Sequence, residues 1–169
     1  VWLGLLQYVE DNGLRFSTLK RTMIGGSACP LAMVRAFRDT FGVEVKHGWG
    51  MTEMSPIGTI SRLRPGHLGL PRERQHELLA RQGNVLFGVD MKIVDDDGKD
   101  LPWDGKTYGN LLVRGPWVIS SYFKDDNHPL QHDTNGDAWL HTGDVATIDP
   151  EGIMQITDRS KDVIKSGGE

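Results

Sequence analysis

A chain of 169 residues with 38% apolar content is long enough for one domain with its own hydrophobic core, or for part of a larger one. Its 19 basic and 23 acidic residues leave a net charge of −4, which gives no electrostatic reason to bind nucleic acid or an anionic membrane. No apolar run approaches the length of a membrane-crossing helix, the first residues do not form a secretory signal, and the single cysteine, Cys29, cannot close an internal disulfide. Together these features predict a cytoplasmic protein.

From Trp2, the apolar residues Leu5, Leu6 and Val9 recur at helical spacing, and Asn12-Gly13 supplies a C-terminal stop. Lys20-Arg21-Thr22-Met23-Ile24 predicts a strand that ends in Gly25-Gly26-Ser27-Ala28. Pro30 suits a first helical turn, and Leu31, Val34, Phe37 and Phe41 form an apolar stripe that Gly42 closes. A second strand at 43–47 runs straight into Gly48-Trp49-Gly50-Met51-Thr52-Glu53. Strand, helix and strand in this order predict a right-handed βαβ unit with parallel strands. Ligands of open α/β sheets gather beyond the carboxyl ends of the strands, so the two glycine-rich segments are expected to be neighbours.

The hexamer packs an aromatic face, two glycines, a hydroxyl and a carboxylate into six residues, a mixture that suits a nucleotide. Trp49 could stack on a base, Gly48 and Gly50 let backbone approach a ligand, Thr52 could donate to a phosphate oxygen, and Glu53 could hold Mg²⁺. A turn entering a helix would use the same residues, just as a tight strand-to-helix turn would use Gly25-Gly26. Residue chemistry leaves both alternatives open.

Beyond Pro56 the pattern weakens, and 72–81 is expected to form a short helix whose charges make a solvated face. After Gly83 the style changes to short strands at 89–94, 110–114, 118–123, 139–141, 146–149 and 153–157, separated by Asp97-Gly98, Asp104-Gly105, Asn135-Gly136 and Pro150-Glu151-Gly152. The fold class expected is therefore α/β, a parallel βαβ portion of a larger sheet over 1–82, followed by a β-rich distorted barrel over 83–158 and a hinge segment at 159–169. Both ends look cut, since Val1-Trp2-Leu3 starts inside an apolar helical pattern, so a fragment is expected.

Three decoys carry little. Asp95-Asp96-Asp97-Gly98 has its glycine too early for a calcium loop and suits a hairpin turn. His128, His132 and His141 lack zinc-site spacing. Cys29 stands beside a helix start, where a thiol pKa can be lowered, but no acid or base accompanies it.

Three motifs in order carry a resemblance. The hexamer is similar to the Tyr-Gly-x-Thr-Glu motif of the adenylate-forming superfamily, with Trp49 in the tyrosine's place. Leu140-His141-Thr142-Gly143-Asp144 resembles its Thr-Gly-Asp motif, and Asp158-Arg159-Ser160-Lys161-Asp162 its hinge motif. That superfamily includes acyl-CoA synthetases, luciferase and peptide-synthetase adenylation domains, and the whole chain resembles the latter part of its large N-terminal domain, nearest to medium- or long-chain fatty-acid CoA ligases.

The resemblance implies ATP, AMP, Mg²⁺ and coenzyme A as ligands, a fatty-acid carboxylate as substrate, and no nucleic-acid partner, while self-association into a homo-oligomer stays open. It implies that Gly25, Gly26, Ser27 and Ala28 lie beside adenine with Trp49 and Gly50. Thr52 and Glu53 would serve catalysis, Glu53 also as metal ligand. Asp144, at the end of a strand, would hold the ribose hydroxyls where a turn-capping aspartate is the bland alternative. Arg159 would contact ribose or phosphate and Lys161 would act as hinge; Tyr122 matches an aromatic that packs near the nucleotide in that family, but from its residue type it is expected in core packing. The fragment alone is expected to be inactive, its phosphate loop and C-terminal lysine being absent. An aryl- or amino-acid-adenylating enzyme and a catalytically silent nucleotide-binding module are the rival expectations.

Overall fold

The computed structural model describes residues 1–124 and 128–159. Helix α1 (Trp2–Asp11) turns its Leu6 and Val9 inward and stops at Asn12, whose side chain donates to Tyr8 O at 2.8 Å. Strand β1 (Arg21–Ile24) alternates with period 2, so Thr22 and Ile24 are buried while Arg21 and Met23 are exposed. Helix α2 (Leu31–Arg35) follows Pro30 and runs on through a π turn (Ala36–Thr40) into β2 (Glu44–Gly50). β1 and β2 pair in parallel, Arg21 with Glu44 through Ile24 with His47, as the βαβ pattern requires.

The first sheet then departs from that pattern. A 3₁₀ turn (Thr52–Met54) reverses the chain, and β3 (Ile57–Ile60) pairs antiparallel with β2, followed by the short β4 (Asn84–Val85) against β3. Neither strand was evident in sequence, because one holds a central glycine and the other has two residues. A second 3₁₀ turn (Pro65–His67) leads to α3 (Arg72–Ala80). The α3 charges are exposed, as expected, yet they also pair across to the α2 segment: Glu73 with Arg35, and Arg72 with Asp39 at 2.8 Å.

The second sheet has the order β5-β6-β8-β7, with β9 joining β8 further along. Its strands are β5 (Asp90–Val94), β6 (Tyr108–Arg114), β7 (Leu130–His132), β8 (Ala138–Ile148) and β9 (Met154–Arg159). All its pairings are antiparallel, and it curls into half a barrel. Two expectations need correction. Residues 118–123 form no strand, because the Ile119 N–H donates to Glu53 O at 2.9 Å instead of to a ladder. The two strands expected at 139–141 and 146–149 are one, and Thr142-Gly143-Asp144 lies inside it.

Two cores result. In one, Phe37, Val34, Val43 and Val45 pack with Leu6 and Leu79 between the helices and β1–β2, with Trp2 set edge-on to Phe37 at 5.6 Å. A fully buried Phe of this kind contributes about 3–5 kcal/mol when compared with Ala. In the other, Ile93, Leu111, Val113, Ile148 and Met154 fill the curled sheet and also receive Trp49 from β2 and Met54 from the 3₁₀ turn after it. Cys29 is buried in the first core, and burial pushes its thiol up to about 11, so its place beside a helix start does not lower it.

The sheets are stitched at one seam. Gly83 exchanges backbone hydrogen bonds with Met154, Gln82 Oε1 accepts from Ile156 N at 2.8 Å, and Asn84 donates to Glu151 O at 3.0 Å. His67, whose Nδ1 accepts from Arg64 N, must carry its proton on Nε2, which donates to Glu151 at 2.7 Å.

Candidate functional site

The seam opens on one side into a cavity of about 560 Å³. Its first wall is the pair of strand ends that the βαβ unit brings together. Gly25 sits so close to β2 that a Cβ there would lie 3.1 Å from Gly48 O, and Gly26, at φ +74, presents open space where a side chain would project. Gly26, Ser27, Ala28, Trp49 and Gly50 all line the cavity, as does Asp144 from the second sheet. The expected adjacency of the two glycine-rich segments is therefore present.

Asp144 reaches the cavity by a device in β8. Asn110 pairs with Val145 and Leu112 with His141, so Thr142, Gly143 and Asp144 together face Leu111 alone. The bulge is held by Thr142 Oγ1, which donates to Leu111 O at 2.9 Å and accepts from Asp144 N at 3.1 Å, while Gly143 takes φ +77. The motif thus does not end a strand, as expected from sequence; it re-aims a side chain from within one. Trp49 Nε1 donates to Asp144 Oδ2 at 2.8 Å, joining residues 95 positions apart. Arg159 pairs with Asp144 in the β8–β9 ladder, and Lys161 lies outside the described residues.

Trp49 is not an open stacking platform. It is 9% exposed, and a Cβ on Gly58 would come 2.8 Å from its ring. Gly50 is also constrained by its own chain, since a Cβ there would stand 1.8 Å from Pro56 O.

Thr52 and Glu53 stand one step past the cavity lining, on the 3₁₀ turn. The Glu53 carboxylate accepts from the Tyr122 hydroxyl at 2.8 Å. Tyr122 is 45% exposed, so the core-packing role expected for it is corrected: its ring is on the surface and its hydroxyl serves Glu53. Among the described residues no group of three or more His, Cys, Asp or Glu could hold a metal ion by itself.

Sequence reasoning missed His47 and Gln82, both buried and both lining the cavity. His47 Nδ1 faces the Ala80 carbonyl at 2.8 Å, which can only accept, so Nδ1 carries the proton; Nε2 stands 3.3 Å from Ser27 O. His47 thereby ties α3 and the glycine-rich turn to β2. Its position directly before Gly48 was the one available signal. Gln82 gave none.

Comparison with known proteins identifies the family. A family model described as AMP-binding enzyme matches residues 1–123. The chain is 54% identical to 3-methylmercaptopropionyl-CoA ligase of Ruegeria lacuscaerulensis, covering 100% of this chain and 31% of that protein. It is 50% identical to medium-chain-fatty-acid–CoA ligase of Ectopseudomonas oleovorans, covering 100% of this chain and 30% of that one. The solved o-succinylbenzoate CoA synthetase of Bacillus subtilis, in complex with its acyl-adenylate intermediate, superposes with TM-score 0.75 at 30% identity over 98% of this chain and 31% of that chain. The chain spans about 31% of the length of the curated relatives it matches. With the glycine-rich turn and the hexamer inside the matched region, and Asp144 brought to Trp49 across the seam, the chain belongs to the AMP-binding enzyme family.

Proposed function

We propose that this chain supplies the adenylate-binding part of an ATP-dependent acyl-CoA ligase. In that reaction a carboxylate oxygen attacks the α-phosphate of ATP, pyrophosphate leaves, and the thiol of coenzyme A displaces AMP from the acyl-adenylate. The observation that carries this proposal is a cavity with bare glycine backbone on one side and, on the other, the bulge-mounted carboxylate of Asp144.

The proposed roles are these. Asp144 accepts hydrogen bonds from the ribose hydroxyls, and Gly26, Ser27 and Ala28 present backbone to the base. Thr52 and Glu53 serve the phosphates, and Arg159 contacts ribose or phosphate. Lys161 is the proposed hinge. Mg²⁺ is commonly bound by one or two carboxylates plus substrate phosphates, and Glu53 alone fits that demand. The metal supplies neutralisation of charge on the phosphates.

We take the acyl substrate to be a fatty acid, supported by the likeness to the medium-chain ligase; the higher identity to a ligase named for 3-methylmercaptopropionate keeps the acid class as the quantity to measure. Aryl or amino acids are the competing substrates, and a silent nucleotide-binding module is the competing class. No described helix is long and apolar enough to cross a membrane, and we propose a cytoplasmic location.

Calorimetry of the chain with AMP, and pyrophosphate exchange by the enzyme that contains it, test the proposal. Asp144→Ala should weaken AMP binding by ~1.5–3 kcal/mol, the loss of a hydrogen bond to a charged group, with the circular dichroism spectrum unchanged. Equal AMP affinity in the variant would refute the ribose role, and absent exchange with any carboxylic acid would favour the silent module.

A further inference from the structure

We propose that Gln82 is a base-contacting residue, its side-chain amide Nε2 donating to a ring nitrogen of the bound nucleotide's base and making that nitrogen part of what the cavity recognises. The proposal rests on the adenylate reading of the cavity and deepens it, because it adds a side-chain contact to a wall that otherwise offers the base backbone.

Gln82 is fixed from two directions. Its backbone carbonyl accepts from Thr59 Oγ1 at 2.9 Å, which ties it to β3, and its Oε1 accepts from Ile156 N at 2.8 Å, which ties its side chain to β9. A backbone N–H can only donate, so the amide oxygen must face Ile156 and the amide nitrogen must occupy the other corner of the group. The carboxamide is thereby oriented by the protein itself.

That nitrogen carries two N–H groups, and among the described residues neither has a hydrogen-bond partner. Gln82 is only 8% exposed, and it lines the cavity together with Ser27, Ala28 and Ile156. Among the described residues, the fully enclosed side-chain atoms without a partner are Thr22 Oγ1, Arg38 Nη1 and the two ring nitrogens of His76. Gln82 Nε2 therefore keeps access to open space, and the open space its residue borders is the cavity. Gln75, buried to the same extent, shows what a structural amide does in this fold: its Nε2 donates to Leu68 O and Leu70 O, and its Oε1 accepts from Arg38. Gln82 spends its acceptor on the fold and keeps its donors for a guest. Unpaired buried donors are costly, so this one favours a guest that brings an acceptor.

The side of the cavity identifies the guest atom. The His47 ring stands between Ala80 O at 2.8 Å and Ser27 O at 3.3 Å, so the segment that delivers Gln82 runs beside the glycine-rich turn. That turn is the wall proposed above to meet the base. Adenine offers in-plane lone pairs on its ring nitrogens N1, N3 and N7, neutral acceptors that match a neutral amide donor.

The experiment measures, by calorimetry on the chain, the affinities of AMP and of 1-deaza-, 3-deaza- and 7-deaza-AMP, each with one ring nitrogen replaced by a C–H group. The proteins are the unsubstituted chain, Gln82→Met and Gln82→Glu. All four ligands carry the same ribose and phosphate, so general effects of a substitution cancel in the ratio of deaza-ligand to AMP affinity. In the unsubstituted chain one deaza ligand should bind about three- to tenfold more weakly than AMP, the worth of one neutral hydrogen bond, and in Gln82→Met that penalty should vanish. Gln82→Glu keeps an oxygen for Ile156 N but, ionised at about pH 8.5, has no donor, so it should not bring the penalty back. A penalty that survives in Gln82→Met, a penalty that Gln82→Glu restores, or no penalty for any of the three ligands would overturn the proposal. If AMP itself does not bind the unsubstituted chain, the adenylate reading fails and takes the inference with it. Should Gln82→Met not fold, the side-chain amide resonances of Gln82 in the unsubstituted chain decide: a shift with AMP that one deaza ligand fails to reproduce supports the contact, and equal shifts with all four ligands overturn it.

Discussion

Gly50→Ala should unfold the hairpin that carries the hexamer, whatever its effect on ligand. A Cβ at this position would stand 1.8 Å from Pro56 O and 2.8 Å from Ile57 Cα, against the 3.4 Å at which ordinary contact begins. Both neighbours are backbone, so no rotamer change relieves the clash, and the β2–β3 register would have to open where it is already irregular. Overpacking of a side chain costs ~1–3 kcal/mol, and a clash with immovable backbone belongs at or above the top of that range. For a domain of this size each kcal/mol moves the melting temperature by about 2–4 °C, so a fall of roughly 6–12 °C is expected. Gly48→Ala is the control. Its closest neighbour is the terminal methyl of Met23 at 2.7 Å, the end of a half-exposed flexible side chain, and its next contact is an ordinary 3.6 Å, so the melting temperature should move by only a few degrees. Thermal denaturation followed by circular dichroism makes the comparison. If Gly50→Ala melts with the unsubstituted chain yet loses nucleotide, the glycine is there for ligand approach and the steric reasoning is wrong.

Two more perturbations probe other parts of the structure. Tyr122→Phe should leave the melting temperature nearly unchanged, because the pair with Glu53 is half-exposed, but raise the Mg²⁺ concentration needed for half-maximal ATP binding by about three- to tenfold through loss of the donor that orients the carboxylate; an unaltered Mg²⁺ titration would detach Tyr122 from the metal. Cys29 should resist iodoacetamide at pH 8 until the chain is unfolded by urea, since burial holds its thiol protonated to about pH 11. The sign of the linkage follows: the unfolded thiol loses its proton near 9, the folded one near 11, so its contribution to stability is full below pH 9 and is lost as pH rises between those values. Labelling of native and unfolded chains at equal rates would contradict the burial.

What could be read from the chain without coordinates was what repeats or punctuates it. The 3.6-residue stripe after Pro30, the alternation in Arg21-Thr22-Met23-Ile24 and the glycine-rich strand ends gave the parallel unit and placed two segments of the cavity side by side. The antiparallel continuation was invisible, because Ile57-Gly58-Thr59-Ile60 is short and its Gly58 is there to make room for Trp49, a requirement that only the fold reveals. Thr142-Gly143-Asp144 was recognisable as a motif, but its glycine suggested a strand end where the chain makes a bulge. Contacts between distant side chains leave no periodic trace. Tyr122 meets Glu53 across 69 positions and Trp49 meets Asp144 across 95, direct contacts that no spacing in the sequence announces.

The hexamer shows why a binding motif read from residue chemistry is only partly about the ligand. Gly50 makes room for its own hairpin, Trp49 fills a core and donates to a neighbouring sheet, and Glu53 is held by a tyrosine from the loop after β6. Gly26, Ser27, Ala28 and Asp144 line the cavity and are the residues proposed above to meet the nucleotide. Loss of activity on mutating the first group therefore does not demonstrate ligand contact, since a misplaced hairpin or a rotated carboxylate would have the same effect. For Asp144 the inference is safer, because its backbone is fixed by Thr142 and the ladders rather than by its own carboxylate. Nucleotide affinity and melting temperature measured on the same variant separate the two groups: a change in affinity at constant stability identifies a residue that touches or orients the ligand, and parallel losses identify one that builds the wall.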